Sequence, residues 1–185
     1  MATIGNFALH SEQTMTTHLD RFSDMPADAR VWVYHSQRPL TVEEREAVRV
    51  LGDDFIAGWA AHGKKLNARF DVLYDRFIVL VVDERSAAAS GCGIDESVRF
   101  IRSLAQQLDT DLLERLNLAY LRPDGTVGAV HANALAAAVA NGELNADTTV
   151  FNNMVTTKAE LDTKWRIALR QSWAASRLVA LGAGV

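Results

Sequence analysis

One cysteine in 185 residues rules out an intramolecular disulfide, and no charged-then-apolar leader opens the chain. The expectation is therefore a cytoplasmic protein of a reducing compartment, not a secreted, disulfide-stapled one. No apolar stretch approaches membrane-spanning length: Phe77 to Val82 is apolar throughout but far too short. A basic excess is also missing. With 19 Lys and Arg against 23 Asp and Glu, the formal charge is -4, and the basic residues are scattered among acids. Binding carried mainly by nucleic-acid phosphates, which draws on a basic stripe, is disfavoured. There is no Gly-x-x-x-x-Gly-Lys-Ser/Thr, no Gly-x-Gly-x-x-Gly after a strand and no Gly-x-Ser-x-Gly. Nor is there a His-x-x-x-His, a cysteine pair or an acidic loop of calcium-binding spacing. P-loop nucleotide hydrolysis has no apparatus here, and neither a metal site nor a cofactor is expected.

What remains is ordinary globular composition, with 49% hydrophobic and 23% charged residues, enough for one core at this length. The three prolines punctuate it. Residues 1–25 read as a polar arm, poorly ordered or a loosely docked helix, closed by the turn Met25-Pro26-Ala27-Asp28. Residues 26–176 read as a single α+β domain, and 177–185 as a short tail. Arg30-Val-Trp-Val-Tyr-His35 is β-branched and aromatic, a first strand. After Pro39, Thr41-Val42-Glu43-Glu44 forms a capping box, and Val48, Leu51, Phe55 and Trp59 make one helical stripe expected to end at Gly63. Ala68, Phe70, Val72 and Tyr74 alternate with Arg69 and Asp71, as in a half-exposed strand. Asp75-Arg76 reads as a tight turn, and Phe77 to Val82 as a buried strand. Ile94, Val98, Ile101, Leu104 and Leu108 mark a second helix. Leu116 to Leu121 is a further strand, turned by Pro123-Asp124-Gly125.

The order over residues 30–122 is β-α-β-β-α-β, a ferredoxin-like core. Its first and third strands are apolar on both faces, so the sheet face opposite the helices needs a cover. Residues 123–176 are expected to supply it as an αβα extension, or a second subunit does so. The extension holds an alanine-rich helix over 132–140, an extended piece over 148–151, and a last helix capped by Thr157-x-x-Glu160 that runs through Trp165.

The turn Ser90-Gly91-Cys92-Gly93-Ile94-Asp95 is the leading site candidate. Small residues at a helix start let backbone amides converge where the dipole favours an anion and lowers a thiol's pKa. Ser90, Gly91, Gly93 and Asp95, with Arg38, are the candidate anion-binding residues. The plain alternative is a tight connection around a buried cysteine. Reading the first and third strands as adjacent and parallel brings His35 and Arg38 to the same edge as Asp83, Glu84 and Cys92. Cys92, His35 and Asp83 are on that basis the candidate catalytic set, a thiol with a base. His62 is expected to pack against tryptophan at a helix end. Asn152-Asn153 is read as a polar cluster capping backbone.

Arg30-Val-Trp-Val-Tyr, Trp59-x-x-His62-Gly63, Arg76-Phe77-Ile78, Val82-Asp83-Glu84, Ser90-Gly91-Cys92-Gly93-Ile94-Asp95, Val150-Phe151-Asn152-Asn153 and Ser172-Trp173 resemble a family of bacterial proteins of similar length. That family has no assigned activity, and its members often carry the label "ABC transporter ATPase". The label implies a Walker A lysine, a Walker B aspartate and a Leu-Ser-Gly-Gly-Gln signature, and Ser90-Gly91-Cys92-Gly93 is a faint echo of the last alone. The residues thus speak against a P-loop ATPase. The expected function is a non-enzymatic interaction or ligand-sensing module, working with a protein partner, a homodimer or a small anionic ligand. The alternative is a thiol-dependent enzyme or small-anion-binding protein using the 90–95 turn.

Overall fold

The computed structural model describes residues 19–85 and 87–180. The chain is α+β, built as two antiparallel sheets packed face to face with helices outside each. The first sheet holds β1 (Arg30–His35), β4 (Asn67–Leu73) and β5 (Phe77–Asp83), in the order β1-β5-β4. Between β1 and β4 come α1 (Val42–Gly58) and a two-residue ribbon, β2 (Ala60–Ala61) with β3 (Lys64–Lys65). After β5 comes α2 (Gly91–Gln107). The second sheet, ordered β7-β6-β8-β9, consists of β6 (Asn117–Leu121), β7 (Val127–His131), β8 (Thr149–Phe151) and β9 (Arg166–Ala168). Helices α3 (Leu135–Ala140), α4 (Lys158–Lys164) and α5 (Trp173–Ala180) complete it.

The buried strand β5 explains the layering. All seven of its residues are buried, and its side chains alternate between two cores. Ile78, Leu80 and Val82 join Val48 of α1 with Ile101 and Leu104 of α2. Phe77, Val79 and Val81 face the second sheet and meet Ala119, Val127 and Phe151. A third core lies on the far side, where Leu118, Tyr120 and Val150 pack on Leu135, Ala138, Ala174 and Leu178. The extension does cover the second face of the first sheet. It is tied to β1 by Val31 N–H donating to the Thr156 carbonyl (2.9 Å) and Lys158 N–H to that of Ala29 (2.8 Å).

Several details differ from expectation. The fourth strand, β6, does not sit beside β1 as the ferredoxin-like order requires; it pairs with β7 and β8 in the second sheet. Secondly, β1 and β5 are adjacent but antiparallel, with His35 opposite Phe77 and Arg30 opposite Val82. Connectivity dictates this: the crossover through α1 makes β4 parallel to β1, and the 73–76 hairpin reverses the chain into β5. Thirdly, α1 ends at Gly58 rather than Gly63. His62 and Gly63, at φ 51° and 76°, form the tip of the β2–β3 ribbon, which leaves His62 exposed instead of packed.

The capping box at Thr41 is present, and Thr157 accepts from the Glu160 amide as read from sequence. The last helix is interrupted, however. It stops at Lys164, β9 intervenes, and α5 begins at Trp173. Phe22 and Met25 are buried in the inter-sheet core, so the packed domain starts before residue 26. Residues 177–180 finish α5 and Leu178 is buried, so the tail is shorter than 177–185. The remainder of the arm (1–18) and tail (181–185) lies outside the described residues.

Candidate functional site

The residues expected to converge are split between opposite ends of the first sheet. At one end, Ser90 caps α2 by accepting from Gly93 N–H (3.4 Å), and the Gly93 carbonyl accepts from Trp59 Nε1 (3.0 Å). Helix α2 begins three residues earlier than its apolar stripe, so Cys92 lies in its first turn with its side chain exposed. Gly91 and Asp95 are exposed too. Asp83 ends β5 nearby but is already engaged, accepting from Arg85 Nε (2.8 Å) and Nη2 (2.7 Å) and from Asn67 Nδ2 (3.3 Å). The Arg85 guanidinium holds its carboxyl well below the usual range, which makes it a poor base. Glu84 is committed as well, accepting from the Ala89 amide (3.0 Å).

At the other end stand His35 and Arg38. Arg38 grips Glu44 with two bonds of 2.7 Å and donates to the Leu108 carbonyl (2.6 Å). It staples the start of α1 to the end of α2. This clasp, with the Thr41 amide, pulls Glu44 down to about 2. Six residue steps of β5, about 20 Å, separate this end from Asp83. His35 is therefore not a base for Cys92, and Arg38 is not part of the 90–95 turn.

No family model, curated protein or solved structure matches the chain. Its chemistry must therefore be read from its own side chains, and the concentration of buried polar groups lies around His35.

His35 points between the sheets, 5% exposed, with its ring 6.0 Å from that of Phe77. Its Nδ1 is 3.2 Å from Asn153 Nδ2, and Asn153 Oδ1 accepts from Trp165 Nε1 at 3.0 Å. An indole N–H can only donate, so it fixes the Asn153 amide with its oxygen toward Trp165 and its nitrogen toward His35. Nδ1 must then accept, and the proton of the neutral ring sits on Nε2. That Nε2 is buried with no partner among the described residues. Burial, reinforced by the positive charge of Arg76, lowers the ring's pKa to about 4 against the pull of Asp111 and Glu114.

Arg76 is buried beside it, 4% exposed. It follows the 73–76 hairpin turn, in which Tyr74 and Asp75 take φ of 51° and 54°. Its Nη1 donates to the carbonyls of Ser36 (3.1 Å) and Gln37 (2.7 Å), holding the chain that leaves β1. Its Nε is buried and without a partner among the described residues. Below lies a rigid aromatic floor. Tyr74, Phe77, Phe151 and Trp165 form mutual ring contacts from 4.5 Å (Phe77–Phe151) to 6.2 Å (Tyr74–Phe77).

Sequence reading missed Arg76 and Trp165 as site residues and took Asn153 for a backbone cap. Their signal was faint: a charged residue abutting the apolar run 77–82, and an Asn pair closing a β-branched strand. Among the described residues no group of His, Cys, Asp and Glu could hold a metal ion, and no helix is long and apolar enough to cross a membrane.

Proposed function

We propose that this protein is a non-enzymatic ligand-sensing or interaction module whose binding centre is the inter-sheet seam at His35, Asn153 and Arg76. The observation that carries the reading is that two of the three buried side-chain donors without a partner among the described residues, His35 Nε2 and Arg76 Nε, belong to this seam; the third, Arg45 Nε, is part of a guanidinium already paired with Asp75. Buried polar groups are paired in the great majority of folded proteins, and each orphan calls for an explanation. A ligand that brings acceptors supplies one. The rigid aromatic floor would keep those donors aimed while a partner arrives.

Two further points favour binding over catalysis. The exposed thiol of Cys92 makes no hydrogen bond to a base among the described residues, and Asp83 is held as a clamped carboxylate. The family resemblance also touches this seam, because Arg76-Phe77-Ile78 and Val150-Phe151-Asn152-Asn153 belong to it; membership of that bacterial family is part of the proposal. A cytoplasmic setting fits a chain with a single cysteine. Exposure of Cys92 favours a second reading, thiol chemistry with a base brought by the substrate.

The test is a thermal-shift screen of the full chain against a metabolite panel, repeated with His35→Asn. Asparagine keeps an acceptor near the Nδ1 position and deletes the Nε2 donor. Compounds that stabilise the wild type and act less on the variant are expected. A panel with no stabilising compound, or equal effects on both proteins, overturns the proposal.

A further inference from the structure

A guanidinium offers two distinct edges, and only one edge of Arg76 is occupied. Both of its hydrogen bonds leave from Nη1, to the Ser36 and Gln37 carbonyls. The opposite edge, where the Nε and Nη2 protons run parallel, grips a carboxylate or phosphate with two bonds. Nε is sealed from solvent without an acceptor, and no described residue accepts from Nη2. The other arginines that reach into the core differ. Arg49 meets Asp71, and Arg45, whose Nε is likewise buried without a partner, meets Asp75, whereas Arg76 has no carboxylate within ion-pairing distance among the described residues.

The charge that does act on Arg76 has the wrong sign. After burial, the largest influence on it is the positive charge of Arg122, and both depress its pKa. Arg122 is exposed, sits over the Tyr120 ring at 5.6 Å, and donates to Thr126 Oγ1 (3.3 Å), itself without a carboxylate partner among the described residues. Two arginines, one from the hairpin of each sheet, thus act on each other with like charge, offset only in part by Tyr120 at Arg76 and by Asp124 at Arg122. Burying an unpaired charge is costly, and an anion relieves both the burial and the repulsion.

We propose that the unoccupied Nε–Nη2 edge of Arg76, with Arg122 as second cation, binds an oxyanion: the carboxylate or phosphate group of a small ligand. The assignment rests on the ligand-sensing reading above and gives its ligand a chemical class. The buried N–H of His35 adds a neutral donor beside the arginine, which suits an oxygen acceptor and adds no further charge.

The experiment titrates the full chain at neutral pH with sodium succinate and, separately, with inorganic phosphate, each against sodium chloride of equal ionic strength. Unfolding temperature and tryptophan fluorescence are followed. At least one oxyanion should stabilise the protein saturably beyond chloride, and the two arms separate carboxylate from phosphate recognition. Arg76→Lys, which keeps the charge and loses the fork, should weaken binding about tenfold or more, and Arg122→Gln about threefold to tenfold. If Arg76→Lys does not fold, the exposed Arg122 decides: unchanged affinity in Arg122→Gln overturns the proposal. So does the absence of any oxyanion effect beyond chloride. A neutral or cationic compound that acts through His35 while both oxyanions fail would overturn the oxyanion class and leave the sensing function standing. Failure of every compound overturns both.

Discussion

Acidification should destabilise this protein at a pH where its carboxylates are still charged, because His35 is folded away as a neutral ring. Its pKa in the fold is about 4, against an ordinary histidine value of 6.5. Between those values the unfolded chain binds a proton that the folded chain refuses. The stability from neutral burial is therefore complete above the unfolded value and lost as pH falls toward the folded one. One unit of displacement is worth about 1.4 kcal/mol, so the loss should reach about 2 kcal/mol by about pH 5 and about 3 kcal/mol by about pH 4. For a domain of this size the first figure corresponds to a fall of about 4–8 °C in Tm. The groups facing the ring set the sign. Arg76 opposes protonation, Asp111 and Glu114 favour it but are outweighed, and Asn153 offers Nδ1 a donor where an imidazolium needs an acceptor. Carboxylates held down by partners, such as Glu44 at about 2 and Asp83 under Arg85, stay charged in the fold through this window; their own loss of stability begins only as pH nears the ordinary carboxylate value of 4.5 and is common to both proteins. The assay is urea denaturation at several pH values from about 7 to 4.5, at constant ionic strength, on wild type and His35→Asn. The variant should lose most of the slope in that interval. Parallel stability curves for the two proteins would refute the neutral, buried assignment.

Much of this architecture is legible in the sequence because its signals are local. The Thr41 and Thr157 caps and the all-apolar run of β5 depend on neighbours a few residues away. The need to cover the second sheet face was also legible, since Phe77, Val79 and Val81 have to be buried against something. Strand direction was legible in principle. One helical crossover followed by one hairpin fixes β5 antiparallel to β1, and a parallel reading alone put His35 near Cys92. The partner of β6 was not legible, because Asn117–Leu121 alternates equally well beside β1 or beside β8. Arg76 was hidden for a related reason. A turn arginine becomes a buried one only when the chain after β1 folds across it, and no local pattern records that contact.

One substitution and one chemical modification away from His35 test the packing and the placement of the thiol. A methyl group at Gly52, on the inner face of α1, would overlap the Phe70 ring, which is held edge-on to Phe100 at 5.9 Å. Gly52→Ala should therefore cost about 1–3 kcal/mol by overpacking, although alanine gains about 1 kcal/mol in helix propensity. A urea midpoint equal to or above wild type would contradict that packing. Cys92, exposed in the first turn of α2, should react stoichiometrically with a thiol reagent in the native state. The blocked protein should unfold within about 0.5 kcal/mol of the free one, as expected for a surface change. Because β5 separates the thiol from His35 and Arg76 by about 20 Å, blocking it should also leave any oxyanion response unchanged. A thiol that resists labelling until urea is added would place Cys92 in the core. A blocked protein that no longer responds to oxyanions would instead move binding to the 90–95 turn, where the anion would meet the free amides of α2 and not the fork of Arg76.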